Sequence, residues 1–253
     1  MSASGGSAGG AHGVLVEEVD ATTVVTISRP ERRNALHHDA VVAIDDAVAG
    51  AVARRARCLV LTGAEGHFCA GADLKELEDL SFTRRLRVML DHLAEVPIPT
   101  IAAVSGSCMG LGMQLALACD LRYATPDARF AVPVAKLGLM VDHWTLQRLV
   151  RTFGTGAARE MVLTAEVLTA EDGHRLGFVQ RLAGLEAALA TAERVAELAP
   201  LSLSGSKLGL NRVERQLDDG DYTAAFERAW GSEDLAEGRA AFAERRAPVF
   251  RGA

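Results

Sequence analysis

Val104-Ser-Gly-Ser-Cys-Met-Gly-Leu-Gly-Met-Gln-Leu-Ala-Leu-Ala-Cys-Asp120 is the stretch on which the fold of this chain turns. Gly106, Gly110 and Gly112 punctuate its first half, and the run from Met113 to Cys119 is apolar apart from Gln114. A glycine-rich turn entering a short buried helix leaves the first helical N–H groups without intrahelical partners and aims them at any negative charge in front of them. Residues 98–104, just upstream, form a continuous apolar run of strand length, so the unit reads strand, glycine turn, helix.

The same order recurs along the chain. Residues 14–18 and 24–28 are β-rich runs on either side of a polar turn, which predicts a hairpin, and Pro30 ends the second strand in a loop over 29–34. Residues 38–53 carry apolar side chains at helical spacing. Residues 58–62 are a buried strand bounded by Gly63, followed by a loop over 65–71 and a helix from about Asp73, while 121–124 and 128–132 are shorter strands. Strand, strand, helix is the repeating unit, and the strands are apolar throughout, which indicates an α/β architecture with helices covering the sheets. Periodicity leaves a doubly wound sheet and a spiral of ββα turns equally open. Beyond Asp142 the chain reads as helical over 144–152, 157–163, 170–175, 185–198, 202–217 and 222–247, punctuated by Gly154, Gly156, Gly177 and Pro200.

Composition narrows the classes of function. The chain has 253 residues, 49% hydrophobic and 24% charged, enough for one domain with a large core and a small appendage. A net charge of −6 without a basic stripe argues against nucleic acid. Arg54-Arg55-Ala56-Arg57 and Arg84-Arg85-Leu86-Arg87 sit at helical spacing and read as solvated helix faces. Cys58, Cys69, Cys108 and Cys119 lie in apolar runs without a Cys-x-x-Cys pair, the pattern of reduced buried thiols rather than of a disulfide framework or metal site. No segment reaches the roughly 18 apolar residues of a membrane helix. Residues 1–13 read as a flexible tail lacking the features of a signal peptide, so a cytoplasmic location is expected.

Two glycine elements, His67-Phe-Cys-Ala-Gly-Ala-Asp-Leu74 and Gly110-Leu111-Gly112, each fall between a buried strand and a helix. With Arg29-Pro-Glu-Arg-Arg-Asn-Ala-Leu36 upstream and Gln147-Arg148-Leu149 downstream, they resemble the enoyl-CoA hydratase/isomerase (crotonase) family over residues 14–253. The resemblance implies a crotonase (ClpP-like) spiral of ββα turns over 14–197. It implies a C-terminal helical region over 198–253, including 226–230, that packs across subunits of a homotrimer or a hexamer built as a dimer of trimers. It implies a fatty acyl-CoA or enoyl-CoA ligand, with no permanently bound cofactor and no metal.

A thioester carbonyl becomes enolate-like when a proton leaves or joins the neighbouring carbon, and two preorganised N–H donors stabilise that charge. The resemblance assigns these donors to the backbones of Ala72 and Leu111. Leu111 stands where glycine is usual, which a negative φ tolerates. Coenzyme A recognition falls on Arg32, Arg33, Ala70, Ala72, Asp73 and Leu74, with Lys75 as a phosphate partner.

The family's hydratases place two glutamates where this chain has Gln114 and Val134. An amide cannot take up a proton near neutral pH and valine has no polar atom, so ordinary hydration is expected to be lost or strongly reduced. Asp142 falls where some relatives keep a proton-shuttling or nucleophilic aspartate. It is therefore a candidate base for an enoyl- or dienoyl-CoA isomerase, although those isomerases also carry acidic groups matching Gln114 and Val134. Asp142 equally suits the N-cap of the helix that follows. His143 reads as structural, and Trp144 with Leu111, Leu139 and Met140 as an apolar acyl pocket or simply core. Gln114 with Asp142-His143-Trp144 looks closest to an actinobacterial branch that binds and hands over acyl-CoA.

Overall fold

The computed structural model describes residues 11–73, 80–137, 139–215, 228 and 231–253. Strands β1 (Val14–Val19) and β2 (Thr22–Ile27) form the antiparallel hairpin, and β2 pairs in parallel with β3 (Cys58–Gly63). Strand β4 (Thr100–Val104) adds to β3, and after the short β5 (Ser107–Met109), β6 (Leu121–Ala124) adds to β4, giving the order β1-β2-β3-β4-β6. Strand β5 belongs to a second sheet with β7 (Arg129–Ala131) and β8 (Leu168–Thr169), in the order β5-β7-β8.

Each turn of the chain lays one strand in the large sheet, steps through the second ladder, and returns by a helix. The clearest turn is β4, β5 and α3 (Leu111–Ala118). In the preceding turns, those of α1 (His38–Ala53) and α2 (Leu80–Glu95), the second strand shrinks to single parallel bridges, Leu36 with Ala72 and Cys69 with Cys108. This is a spiral of ββα turns, not a doubly wound sheet. Alternation along the strands builds both faces: Val25, Leu59, Leu61 and Ala102 enter the main core with α1, α2 and α3. Val24, Val60, Ile101 and Tyr123 pack with Ala188 and Ala192 of the later helix 185–196.

The remaining helices are α4 (His143–Leu163), α5 (Ala170–Arg175), α6 (Leu185–Ala196), α7 (Pro200–Arg215) and α8 (Glu233–Glu244). Gly154 does not separate two helices across a loop but kinks α4, with φ 78° and ψ 161°, and Gly156 stays helical. Pro200 opens α7 as its first residue, where its missing N–H costs nothing. Within the expected tail, Ala11–Gly13 form a 3-10 turn whose Gly13 carbonyl accepts from Ser28 N–H. Residues 1–10, the start of the helix expected near Asp73, and 226–230 apart from Arg228 lie outside the described residues.

Helix α7 is tied to the spiral by the buried Lys207, whose Nζ donates to Asp120 Oδ2 at 2.7 Å and to the Ile98 carbonyl at 2.9 Å. All four cysteines are buried and unpaired. Burial pushes the Cys58, Cys69 and Cys119 thiols up to about 12 and Cys108 well above its ordinary value, so none is a ready nucleophile. Among the described residues no helix is long and apolar enough to cross a membrane, and no cluster of His, Cys, Asp and Glu could hold a metal ion.

Candidate active site

The parallel pairing of β3 with β4 explains how two glycine turns about 40 residues apart come together. After the strands end, the chains stay stitched: Phe68 N–H donates to Ser105 O at 2.7 Å, Cys69 N–H to Ser107 O at 2.9 Å, and Met109 N–H to Cys69 O at 3.0 Å. The contact is so close that a Cβ on Gly112 would stand 2.3 Å from the Cys69 carbonyl oxygen. Gly71 (φ 124°) and Gly110 (φ 51°) take conformations open to few other residues immediately before Ala72 and Leu111.

Around Ala72 the neighbouring peptides are engaged, with Leu36 N–H on Gly71 O at 2.9 Å and Asp73 N–H on Leu36 O at 2.7 Å. The N–H groups of Ala72 and of Leu111, the first residue of α3, have no acceptor among the described residues. At the other end of α3, Arg122 donates to the carbonyls of Ala116 and Cys119 and Arg148 to that of Leu117. The helix thus has satisfied C-terminal carbonyls and an open N-terminus.

A third loop braces this arrangement. Buried Asn34, at φ 61°, accepts from Arg29 N–H through Oδ1 and donates through Nδ2 to the carbonyls of Ala64 (2.8 Å) and His67 (2.6 Å). Arg29 reaches the Ala35 carbonyl and pairs with Asp73 at 3.3 Å, which places Asp73 in a clamp between loops. Ala70 N–H donates to Arg33 O at 3.0 Å, so Arg32 and Arg33 stand exposed beside the Ala70 loop. Leu74 and Lys75 lie outside the described residues.

In front of the two turns is a cavity of about 830 Å³, and the separately predicted residues Ala70, Ala72, Leu111, Gln114, Val134 and Asp142 all line it. Leu86, Leu90, Leu137, Leu139 and Met140 make the rest of the wall largely apolar, and Asp142 is its one carboxylate among the described residues. Val134 enters from the 3-10 turn Pro133–Leu137.

Gln114 and Asp142 are joined by a residue that carried no signal in the sequence. Gln114 Nε2 donates to Thr145 Oγ1 at 2.8 Å, and Thr145 donates to Asp142 Oδ1 from its hydroxyl (2.5 Å) and its backbone N–H (2.9 Å). Asp142 is therefore the N-cap of α4 in fact. Its second oxygen lies 3.7 Å from Arg87, which also pairs with Asp91.

Both arginine runs need correction. Arg54–Arg57 follow the end of α1 at Ala53, with Arg55 at φ 58°, and form no helix face. Arg87 belongs to no solvated face: Thr83, Leu86, Arg87 and Leu90 recur at i, i+3, i+4 and i+7 and form the cavity-lining stripe of α2. That spacing was the available signal. Of the two alternatives for Trp144 the structure shows the core one: it packs against the main core and not on the cavity wall, its ring 4.1 Å from the Arg87 guanidinium and 4.5 Å from that of Arg148. His143 is exposed and lines no part of the cavity.

Comparison with known proteins agrees with this architecture. Residues 17–253 match the enoyl-CoA hydratase/isomerase family. The Mycobacterium tuberculosis protein named probable enoyl-CoA hydratase echA6 is 39% identical over 246 residues, covering 94% of this chain and 99% of that protein. An enoyl-CoA hydratase/isomerase family protein from Hyphomonas neptunium superposes with a TM-score of 0.90 at 30% identity, over 95% of this chain and 98% of that one. An enoyl-CoA hydratase from Mycobacterium tuberculosis does so with a TM-score of 0.85 at 33% identity, over 96% of this chain and 100% of that one. The chain belongs to the enoyl-CoA hydratase/isomerase family and has the crotonase fold.

Proposed function

We propose that this member of the enoyl-CoA hydratase/isomerase family binds fatty acyl-CoA or enoyl-CoA thioesters without the water-adding chemistry of hydratases. One juxtaposition carries the proposal. The free N–H groups of Ala72 and Leu111 open on the same cavity as Gln114 and Val134, neither of which can release or take up a proton near neutral pH.

The thioester oxygen sits between the two backbone donors, at the N-terminus of α3, where helix and donors favour the same negative charge. Arg32 and Arg33, with the backbones of Ala70 and Ala72 and with Asp73, Leu74 and Lys75, form the coenzyme A side, and the basic groups face its phosphates. The apolar wall takes the acyl chain. Hydration needs a base on water and an acid at the α-carbon, each worth typically ~10²–10⁴ in rate, and both positions are vacated here. The likeness to echA6 proteins of Mycobacterium supports membership of the acyl-CoA-handling actinobacterial branch. Residues 14–197 serve as the binding core and 198–253 as the assembly region of a homotrimer or hexamer, in the cytoplasm.

A second reading rests on the one carboxylate of the wall. Asp142, with its side chain 42% exposed, would remove and return a proton at the acyl chain as the base of an enoyl- or dienoyl-CoA isomerase. Its oxygens face Thr145 and Arg87, which favours the cap. The test pairs calorimetric titration of short- and long-chain acyl-CoAs with crotonyl-CoA hydration and deuterium exchange at the α-carbon. Binding without hydration or exchange is expected. Hydration at the rate of ordinary hydratases overturns the proposal, and exchange abolished by Asp142→Asn replaces it with the second reading.

A further inference from the structure

We infer that His67 is a positioning residue for the two backbone donors: its uncharged ring ties the loop that carries Ala72 to the loop that carries Leu111, so that uptake of a proton by the ring loosens the grip on an acyl thioester. The inference rests on the acyl-thioester reading above and starts from a gap in the ladder between the two loops.

Along these loops Cys69 N–H donates to Ser107 O and Met109 N–H to Cys69 O, the alternating pattern of a parallel pair. Two residues earlier the same pattern would take Ser107 N–H to the carbonyl of His67. That oxygen is already held by Asn34 Nδ2 at 2.6 Å. The ring of His67 stands in for it, and Ser107 N–H donates to its Nδ1 at 3.1 Å. Room for the ring comes from Gly106, at φ 50°, where a Cβ would stand 2.6 Å from Nδ1. A side chain thus replaces a missing backbone rung, on the loop that leads into Ala72 and against the strand that leads into Leu111.

A backbone N–H can only donate, so Nδ1 must offer a lone pair and the ring hydrogen must sit on Nε2. The ring's other orientation would set a carbon against the N–H, so the partner fixes the assignment. Protonation puts a hydrogen on both nitrogens, and two donors then face each other across the rung. Ser107 N–H is left without an acceptor beside a new positive charge, which costs more than the bond alone. The charged groups around the turn are Asp127, Arg129 and, on the histidine's own loop, the exposed Glu65; Asn34, from the 29–34 loop, is neutral. The Thr125 hydroxyl and the Gly106 N–H hold the exposed Asp127 carboxyl below its ordinary value. Arg129 N–H donates to Gly106 O, and its guanidinium turns to the carbonyls of Pro126 and Ala128. Carboxylates and guanidinium groups ordinarily keep their charge between pH 5 and 8, the interval in which histidine changes its own. The form that binds is the one without the proton, so affinity is full at the alkaline end of that interval and falls as the pH drops.

The experiment is calorimetric titration of the full-length protein with butanoyl-CoA and decanoyl-CoA at pH 8 and pH 5.5, beside the variants His67→Asn and His67→Phe. The asparagine Oδ1 reaches where Nδ1 stands and accepts without titrating. The ligand's phosphates and the other histidines titrate alike in both proteins, so the ratio of their pH effects isolates the ring. Between the two pH values the unsubstituted protein is expected to lose about tenfold more affinity than His67→Asn, the worth of one hydrogen bond whose donor is left orphaned. His67→Phe, which has no acceptor, is expected to bind weakly at both. Parallel losses in the unsubstituted protein and His67→Asn overturn the inference. So does a histidine ¹⁵N spectrum of the unsubstituted protein that puts the His67 hydrogen on Nδ1 at pH 8, a reading independent of ligand and of any variant's folding. Failure of both thioesters to bind at pH 8 overturns the acyl-thioester reading itself and this inference with it, whereas parallel losses leave that reading standing.

Discussion

On one side of the cavity the groups that face the ligand space are backbone N–H donors held by paired loops; on the other they are side chains from α3, the 3-10 turn and the α4 cap. The first side depends on strand pairing and on glycine, so almost any residue can stand at 72 or 111. That freedom explains how a residue as bulky as Leu111 stands here with its N–H still free. The second side depends on which atoms end a side chain, and those can change with little cost to the fold. A family likeness therefore carries the ligand class across more securely than it carries the reaction.

Restoring the side-chain half alone is the strongest challenge to this division. Gln114→Glu combined with Val134→Glu is expected to raise crotonyl-CoA hydration by about 10²–10⁴ over the unsubstituted protein, with either single change giving far less. A double variant that binds acyl-CoA yet gains nothing would show that the backbone half is not aligned for chemistry. Damage to the backbone half gives the next largest effect. Gly112→Ala drives a methyl toward the Cys69 carbonyl and should cost about 3 kcal/mol in denaturant unfolding while weakening acyl-CoA binding, as the loops carrying Ala72 and Leu111 part. The smallest effect tests the cap. Asp142→Ala is expected to lower stability by about 1 kcal/mol, and Asp142→Asn by a few tenths, because asparagine still accepts from Thr145 N–H. Equal thermal shifts for the two would remove the cap from the account.

The sequence made the backbone half readable because its signals are local. Apolar runs gave six of the eight strands to within two residues, while the short β5 was read as part of the glycine turn and β8 as part of the helical region, and the amphipathic period gave α1 from His38 to Ala53 without error. The convergence of Ala72, Leu111, Gln114, Val134 and Asp142 on one cavity came from the family likeness, since no periodicity reports which loops meet. Thr145 stayed hidden because a buried threonine near a helix start looks like any first-turn residue, and its meaning arises only from partners 31 residues upstream in α3 and three upstream at the cap. Arg87 was masked by its neighbours Arg84 and Arg85, whose charge suggested a wet face although the apolar stripe ran through position 87. Gly154 was readable as an interruption but not as a kink, because a positive φ can either end a helix or bend it depending on what packs beyond.

Arg87 touches the cavity on one side and an indole on the other. The chain has two tryptophans, and Trp144 is held between two guanidinium groups, one of which belongs to the cavity wall. Indole emission shifts with the electric field at the ring, so an occupant that displaces Arg87 changes the colour and yield of Trp144 fluorescence. The protein thus carries a native optical gauge of whether its cavity is filled.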